Sequence, residues 1–317
     1  MENLTSIILF LVGFGLIIKG SDWFIDSTIW VAKVLKVPNI IIGATLVSIC
    51  TTLPEAMVSG SSAIRGNTDI AFGNAVGSIA VNTGFILALT ILLTQPAITN
   101  KKQLRRTGLF LLALIASLGA SAYFLGEIPR SVGIIYLVIM VIYLYMNVRE
   151  ARASATEIAH DEAIDRSREV IIKRTGFFIV GLIMTVIGAN LLVTHGEVLA
   201  RVLGVPDVVI GLTLTALGTS LPELVTAITA IRKGAHDISI GNVLGANILN
   251  IIMVLGLAST ITPINTPTSY FVLHIPFVFA IVGLVVLFSL INNKELKRWN
   301  GAVILITYIS YLIVMFK

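Results

Sequence analysis

Long apolar runs separated by short polar breaks dominate this chain of 317 residues and constrain its fold more than any other feature. A helix needs about 20 residues, at a rise of about 1.5 Å per residue, to cross the hydrocarbon layer of a bilayer. Ten runs meet that length, and none shows the strict apolar–polar alternation of an outer-membrane barrel strand. The sequence therefore predicts an all-α membrane protein with transmembrane helices at 5–31, 39–64, 70–94, 104–125, 129–147, 174–203, 207–232, 238–261, 268–291 and 299–316.

The composition supports the same class of protein. Only 12% of the residues are charged, about half the share that is usual in a soluble domain, and the mean hydropathy is +0.96. These values exclude a water-soluble enzyme, a disordered chain and a coiled coil. Because only Glu2 precedes the first run, with no basic segment, we expect that run to remain as the first helix rather than to be a signal peptide.

The distribution of basic residues predicts an orientation. Most of the 22 Lys and Arg residues lie in alternate loops, which face the cytoplasm by the positive-inside rule. We therefore expect a multi-pass protein of the cell membrane with both termini outside. The segment 149–173, which has balanced charges and no long apolar run, is expected to be a cytoplasmic linker.

An internal repeat organises the sequence. Residues 43–82 align without a gap on residues 211–250, at an offset of 168 positions, and 14 of these 40 pairs are identical. The identities include Thr, Pro, Glu, Gly and Asn, which a chance alignment of two apolar stretches would not produce. With five helices in each half, every helix crosses the membrane opposite to its counterpart. We therefore expect two inverted five-helix repeats, at 1–148 and 174–317, as in secondary transporters.

Each repeat carries one acidic residue near the middle of a helix, Glu55 in the second span and Glu223 in the seventh. A charge at the membrane centre costs about 2.5–3.5 kcal/mol on insertion scales, so such residues usually face a polar interior and mark an ion pathway. Pro54 and Pro222 directly precede them, and each proline frees the carbonyl group four residues earlier from its helical hydrogen bond. A carbonyl group freed inside the membrane needs a new partner, which a cation can provide.

Further oxygen atoms surround these glutamates. Thr51, Thr52, Thr219 and Ser220 place hydroxyl groups in the turns that the prolines open. Carboxylates, hydroxyls and carbonyls form an all-oxygen set, which suits hard cations such as Na⁺ or Ca²⁺. No Lys or Arg lies near mid-depth in the second, third, seventh and eighth spans, so an anion would be repelled.

The third and eighth spans supply glycines and asparagines. Four glycines have the GxxxG spacing that lets helices approach closely. They are Gly73, Gly77, Gly241 and Gly245. The amide oxygens of Asn82 and Asn250 can ligate a cation without adding charge, and we predict that role for them. Asn74 and Asn242 are expected to cap or brace the broken helices.

The charge of the predicted site narrows the range of possible substrates further. Two ionised glutamates give a doubly negative site, which one Ca²⁺ or two Na⁺ would neutralise. The two kinds of ion would compete for one site. While this site is empty and charged, it would resist being exposed from one side of the membrane to the other. These two properties together are the minimum physical basis for exchange.

With these motifs in two copies, the sequence resembles the Ca²⁺/cation antiporter superfamily, specifically its prokaryotic Na⁺/Ca²⁺ exchanger branch. The resemblance rests on Gly-Thr-Ser-Leu-Pro-Glu at 218–223 and on Gly-Asn-x-x-Gly at 73–77 and 241–245, and it covers essentially the whole chain. It implies a core of the second, third, seventh and eighth helices. The long first and sixth helices would slide across this core to give alternating access.

The resemblance also implies a set of ion ligands. The two glutamates would be carboxylates shared by Ca²⁺ and Na⁺, nearby Thr and Ser residues would supply hydroxyl groups, and two residues would supply backbone carbonyls. The asparagines would flank this group. The implied set is Glu55, Glu223, Thr51, Thr219, Thr52, Ser220, Ser78, Asn82, Asn250 and the carbonyls of Ser48 and Ala216.

The sequence departs from the pattern of this family in places. Ala246 aligns with Ser78, so one side-chain ligand is missing and one Na⁺ site would be weakened. Asn250 stands where many relatives have Asp, which argues against K⁺ coupling. Gly77 and Gly245 stand where the proton-coupled branch has Glu, which favours Na⁺ over H⁺ as the driving ion.

We therefore predict a secondary active antiporter that moves Ca²⁺ outward against inward Na⁺ through one central site. It is expected to have no enzymatic activity and no cofactor, and to interact with the two ions and the lipid bilayer but not with nucleic acid. A Ca²⁺/H⁺ or other divalent cation exchanger remains an alternative, and so does a passive cation channel.

Overall fold

The structure is a computed structural model that describes residues 2–96, 101–157, 165–203, 216–268, 270–292 and 295–315. Almost all of this part is helical. The α-helices are α1 (Glu2–Leu35), α2 (Asn39–Ile42), α3 (Ser48–Ile64), α4 (Thr68–Val81), α5 (Ala88–Thr94), α6 (Lys101–Leu125), α7 (Arg130–Glu157), α8 (Arg168–Val202), α9 (Ala216–Thr219), α10 (Leu221–Arg232), α11 (His236–Leu249), α12 (Gly256–Ile261), α13 (Ile275–Ile291) and α14 (Arg298–Met315). The π-helices are π1 (Gly43–Val47), π2 (Asn82–Leu87), π3 (Asn250–Leu255) and π4 (Tyr270–His274). Two short strands, β1 (Glu127–Ile128) and β2 (Ile264–Asn265), pair in an antiparallel sheet.

Within the described residues, nine helical segments are long and apolar enough to cross a membrane. They match nine of the ten predicted spans. The tenth predicted span, 207–232, falls partly outside the described residues, and its described portion consists of α9 and α10. The nine segments are Leu4–Leu35, Asn39–Ile64, Thr68–Thr94, Lys101–Leu125, Arg130–Ala153, Arg168–Val202, His236–Ile261, Val272–Ile291 and Arg298–Met315.

The described part of the predicted linker is largely helical. Helix α7 continues to Glu157, well beyond the predicted end of its span at 147, and α8 already begins at Arg168. The residues from 149 to 157 are mostly Ala, Arg and Glu, which are strong helix formers. The helices therefore extend past their apolar segments.

The boundaries of the elements repeat at the offset found in the sequence. Helices α3 and α10 end 168 positions apart, and α4 and α11, like π2 and π3, begin and end 168 positions apart. Gly66 and Gly234 occupy equivalent turns with positive φ angles of 78° and 70°, which glycine adopts without steric cost. The repeat is thus present in the backbone as well as in the sequence.

Burial separates a central group of helices from several more exposed ones, among which we call α1 and α8 the peripheral pair. In its most apolar window, the segment His236–Ile261 is 94% buried, and the segments Thr68–Thr94 and Asn39–Ile64 are 72% and 67% buried. The corresponding windows of α1 and α8 are only 28% and 22% buried. Helices α3, α4 and α11 therefore form the centre of the molecule.

Helices α1 and α8 form a close antiparallel pair. They have 34 and 35 residues, so each is about 50 Å long and exceeds the hydrocarbon thickness of about 30 Å. A Cβ atom added at Gly20 would lie 2.7 Å from the Gly181 carbonyl oxygen, and one added at Gly188 would lie 2.7 Å from the Gly13 carbonyl oxygen. The glycines thus bring the two backbones into direct contact.

Polar contacts connect α1 to α10. The hydroxyl oxygens of Ser21 and Thr229 lie 2.9 Å apart in a buried hydrogen bond. At the end of α10, Lys233 Nζ lies 2.9 Å from Asp26 Oδ1 and 3.4 Å from Asp22 Oδ1. The peripheral pair is therefore attached to the centre through α1 and α10.

Candidate cation site

Two short helical segments carry the predicted acidic residues. Glu55 lies in the middle of α3, the helix that follows π1, and Glu223 lies in the first turn of α10. The two repeats differ at their prolines. The second repeat is interrupted at Ser220, before Pro222, whereas α3 runs through Pro54 as a continuous α-helix. A helix break near the proline is therefore present in the second repeat only, and the carbonyls that the two prolines free remain a prediction.

Both glutamates are fully buried. Glu55 and Glu223 are 0% exposed, and neither carboxylate has a hydrogen-bond partner among the described residues. The two carboxylates are close enough to repel each other electrostatically. Burying unpaired ionised groups is very costly in a protein interior, so a pair of this kind is either protonated or compensated by a bound cation.

Most of the other predicted ligands are also buried without partners. Leaving one such polar group unsatisfied costs about 1–3 kcal/mol, and native proteins have few of them. Their concentration at the predicted positions is what a cation site built from oxygen atoms requires. Within the described residues, the unpartnered atoms at predicted ligand positions are Thr52 Oγ1, Ser78 Oγ, Ser220 Oγ and the side-chain amide atoms of Asn82 and Asn250.

The two threonines at the centre of the motif already have partners. The Thr51 hydroxyl donates to Asn242 Oδ1 at 3.2 Å, and the Thr219 hydroxyl donates to Asn74 Oδ1 at 3.1 Å. The Thr51 hydroxyl has a second, longer contact of 3.4 Å to the Ser48 carbonyl oxygen, so its one hydrogen is shared between these two acceptors with Asn242 the nearer. Each contact with an asparagine joins one repeat to the other, so the structure brings the two motifs together.

One of the two predicted carbonyl ligands, that of Ser48, lies next to these groups. The Ser48 carbonyl oxygen is 3.4 Å from Thr51 Oγ1, and Ala216 is the first residue of α9. A Cβ atom added at Gly245 would lie 2.7 Å from Ser48 Oγ. This confirms close packing at the second GxxxG motif. At Gly73 and Gly77, no described atom outside the local helix lies within 4 Å of an added Cβ.

Some features of the site were not predicted from the sequence. The helices change to π geometry at Asn82 and Asn250, where π2 and π3 begin, and such segments often mark functional sites. Asn247 Nδ2 donates to Thr83 Oγ1 at 2.7 Å, which joins the two repeats at a second buried position. Asn247 aligns with Ile79, so the internal repeat carried no signal for it.

The negative charge of the site comes from two carboxylates. The described residues contain no group of three or more His, Cys, Asp or Glu side chains that could hold a metal ion. The remaining oxygens are neutral hydroxyls, amides and carbonyls. This composition suits Na⁺ or Ca²⁺ and lacks the nitrogen and sulfur ligands that transition metals prefer.

The chain is similar to known exchangers over nearly its whole length. A sequence profile of the family described as sodium/calcium exchanger protein matches residues 5–149 and 173–317. The sodium/calcium exchanger MaX1 of Methanosarcina acetivorans is 31% identical, with 98% of each chain covered. The inner membrane protein YrbG of Escherichia coli K12 is 36% identical over 262 residues, 80% of this chain and 79% of YrbG. A solved structure of the sodium-calcium exchanger NCX_Mj superposes with a TM-score of 0.85 at 29% identity, covering 98% of this chain and 99% of NCX_Mj.

Proposed function

The chain belongs to the sodium/calcium exchanger protein family and is a multi-pass membrane antiporter of Na⁺ and Ca²⁺, and we propose that both ions use one central site built around Glu55 and Glu223. The observation that carries this proposal is the burial of both carboxylates, 0% exposed and without a hydrogen-bond partner in the described part of the chain. Such a site is doubly negative when ionised. One Ca²⁺ or two Na⁺ would neutralise it, so binding of one kind of ion excludes the other.

Neutral oxygen atoms complete the proposed site. Ca²⁺ takes about six to eight oxygen ligands. Two carboxylates cannot supply all of them. We assign the remaining ligands to the hydroxyls and amides that are buried around the glutamates and to two backbone carbonyls. The proposed neutral ligands are Thr51, Thr219, Thr52, Ser220, Ser78, Asn82, Asn250, Ser48 and Ala216.

The two halves are proposed to be inverted repeats. Gly13 contacts Gly188 and Gly20 contacts Gly181, while the offset of 168 pairs Gly13 with Gly181 and Gly20 with Gly188. Reciprocal contacts of this kind are typical of a twofold relation. Because α1 and α8 are antiparallel, the proposed axis is perpendicular to them and lies in the membrane plane.

Alternating access follows from this arrangement. We propose that α1 and α8 move together against the central helices and expose the site to one side at a time. We propose that the end of α10 and residues 149–173 lie in the cytoplasm and both termini outside, because loops rich in Lys and Arg tend to face the cytoplasm. The proposed domains are a first repeat at 1–148, a cytoplasmic linker at 149–173 and a second repeat at 174–317.

An ion-flux assay tests this function. The purified protein is reconstituted into liposomes, and uptake of labelled Ca²⁺ is measured first with an outward Na⁺ gradient and then with a pH gradient. We expect uptake only with the Na⁺ gradient. Uptake driven by the pH gradient alone would instead indicate a Ca²⁺/H⁺ exchanger, and Ca²⁺ flux that neither saturates nor shows counter-transport would indicate a channel.

A further inference from the structure

We infer that Asn74 and Asn242 are positioning residues that hold the hydroxyl hydrogens of Thr219 and Thr51 away from the ions. This inference rests on the proposed function, because it assumes that the two threonines contribute oxygen ligands. Each asparagine lies in one repeat and accepts a hydrogen bond from the threonine of the other repeat. The ligand geometry of each half would thus depend on a side chain of the opposite half.

The hydrogen-bond partners determine which way the Asn74 amide points. Its Nδ2 atom lies 3.2 Å from the Glu55 carbonyl oxygen and 2.9 Å from Ser59 Oγ. A backbone carbonyl can only accept a hydrogen bond, so the nitrogen end of the amide must face Glu55. The oxygen end then faces Thr219 at 3.1 Å. Because an amide oxygen has no hydrogen to give, Thr219 must be the donor.

The same reasoning determines the orientation of the Asn242 amide, here through its partner Thr226. Thr226 Oγ1 lies 2.7 Å from the Pro222 carbonyl oxygen and 3.1 Å from the Glu223 carbonyl oxygen, so its hydrogen is used there. Its oxygen can therefore only accept from Asn242 Nδ2, which is 3.2 Å away. The oxygen end of the Asn242 amide then faces Thr51.

These bonds decide what the threonines present to an ion. A hydroxyl group has one hydrogen and two acceptor lone pairs. When the hydrogen is donated to an asparagine, only lone pairs remain for the site, and these attract a cation. Thr51 and Asn242 are 0% and 1% exposed, so water cannot easily replace the lost partner. Without the asparagine, the Thr51 hydrogen would be free to turn toward the ion or to the Ser48 carbonyl oxygen, 3.4 Å away, and either change would disturb the proposed ligands.

The bonds also support the turns that carry the glutamates. Asn74 donates directly to the Glu55 carbonyl, and Asn242 acts on the turn of Glu223 through Thr226. The prolines before both glutamates remove a helical donor nearby. Each asparagine therefore connects a hydroxyl ligand of one repeat to the backbone of the carboxylate in its own repeat.

A double-mutant cycle on Ca²⁺ half-saturation tests the inference. The single variants are Thr51→Val, Thr219→Val, Asn74→Leu and Asn242→Leu, assayed in liposomes with Na⁺-driven uptake of labelled Ca²⁺. Loss of one such hydrogen bond should raise the half-saturating Ca²⁺ concentration about three- to tenfold. The pairs Thr51 with Asn242 and Thr219 with Asn74 should be strongly non-additive, so that the double variant is no worse than the worse single variant.

The crossed pairs provide the internal control. Among the hydrogen bonds of the described residues, none joins Thr51 to Asn74 or Thr219 to Asn242, so the effects in these crossed pairs should multiply. Asn300→Leu removes an equally buried asparagine that bonds to Asn292 and Lys297, and it should leave half-saturation unchanged even if it lowers thermal stability.

The possible outcomes distinguish a failure of this inference from a failure of the proposed function. Effects that multiply in the two bonded pairs would overturn the inference, provided that Glu55→Gln and Glu223→Gln are inactive. Full activity of those glutamate variants would reject the carboxylate site and the inference together. If a leucine variant does not fold, the cycle is repeated with alanine at the same position, using the Ca²⁺-induced rise in melting temperature as the readout.

Discussion

At the scale of single residues, charge is concentrated at one place inside the molecule. Among the described buried residues, Glu55 and Glu223 are the only acidic ones, and none is Lys or Arg. The other buried polar residues are neutral. Removing one carboxylate would therefore change the electrostatics of the site without any nearby charge to compensate.

We predict that Glu55→Gln and Glu223→Gln each abolish Na⁺-driven Ca²⁺ uptake. A charge about 4 Å from an ion contributes about 4 kcal/mol at an effective dielectric constant of about 20, which is about a thousandfold in affinity. The control is Glu150→Gln, because Glu150 pairs with Arg106 at a partly exposed position. Normal flux in the two central variants, with protein that elutes as a single species from gel filtration, would contradict the prediction.

A second prediction concerns the asymmetry between Ser78 and Ala246. Ser78 Oγ is buried without a described partner, and Ala246, which aligns with it, is also fully buried. The Ala246→Ser variant would add the missing hydroxyl. We expect it to lower the half-saturating Na⁺ concentration about two- to tenfold, the range of one net hydrogen-bond-like contact.

Its counterpart, Ser78→Ala, should raise the half-saturating Na⁺ concentration by a similar factor. Ser289→Ala is the matched control, since Ser289 is buried but bonds to the Val286 carbonyl in α13. A shift of both variants in the same direction would show that packing, not the hydroxyl ligand, controls Na⁺ binding here.

At the scale of elements, α11 approaches the first repeat through two glycines. A Cβ atom added at Gly241 would collide with the Ile40 carbonyl oxygen, and one added at Gly245 would lie 2.6 Å from Ala44 Cα. Both positions face the segment from α2 to α3, directly before the proposed ligands. The absence of side chains at these two glycines therefore permits the close approach of α11 to the first repeat.

We predict that Gly245→Ala lowers both the melting temperature and the apparent Ca²⁺ affinity, because the new methyl group would push α11 away from Ser48. Overpacking of this kind costs about 1–3 kcal/mol. Gly176→Ala in α8 is the control, as no described atom outside its helix lies within 4 Å of an added Cβ there. A melting temperature and a Ca²⁺ affinity equal to those of the unmodified protein would argue against a tight contact.

The elements also show what the sequence can predict. Apolar length and the repeat offset predicted nine of the spans correctly within the described residues, and the carboxylate motifs led to the buried glutamates. Periodicity could not predict the π-helices at Asn82 and Asn250, because one extra residue per turn leaves little trace in an apolar segment. It could not predict the Asn247–Thr83 bond either, since that contact depends on three-dimensional packing between the repeats.

At the scale of the whole molecule, the polar contacts between the peripheral pair and the central helices differ between the two repeats. Ser21, Asp22 and Asp26 of α1 bond to Thr229 and Lys233. In the described residues, no ion pair or side-chain hydrogen bond joins the equivalent elements, α8 and α3. Among the described residues, the polar contacts between the peripheral pair and the centre are therefore concentrated on the side of α1 and α10. An exchanger that alternates would break the first set of contacts and form the second.

This asymmetry gives the final prediction, in a Cys50→Ala background that removes the native cysteine. A disulfide in Ser21→Cys/Thr229→Cys should stop Na⁺-driven Ca²⁺ uptake until a reductant is added. The native side-chain oxygens of this pair are 2.9 Å apart, so a crosslink is feasible, and it would hold α1 on α10. The control is a disulfide between α1 and α8 in Ser6→Cys/His195→Cys, where the native Ser6 Oγ and His195 Nδ1 lie 3.4 Å apart. It should leave exchange intact, because α1 and α8 are expected to move as one body. Continued exchange with a complete link between α1 and α10 would mean that α1 does not move against the centre, and alternating access would need a different moving part.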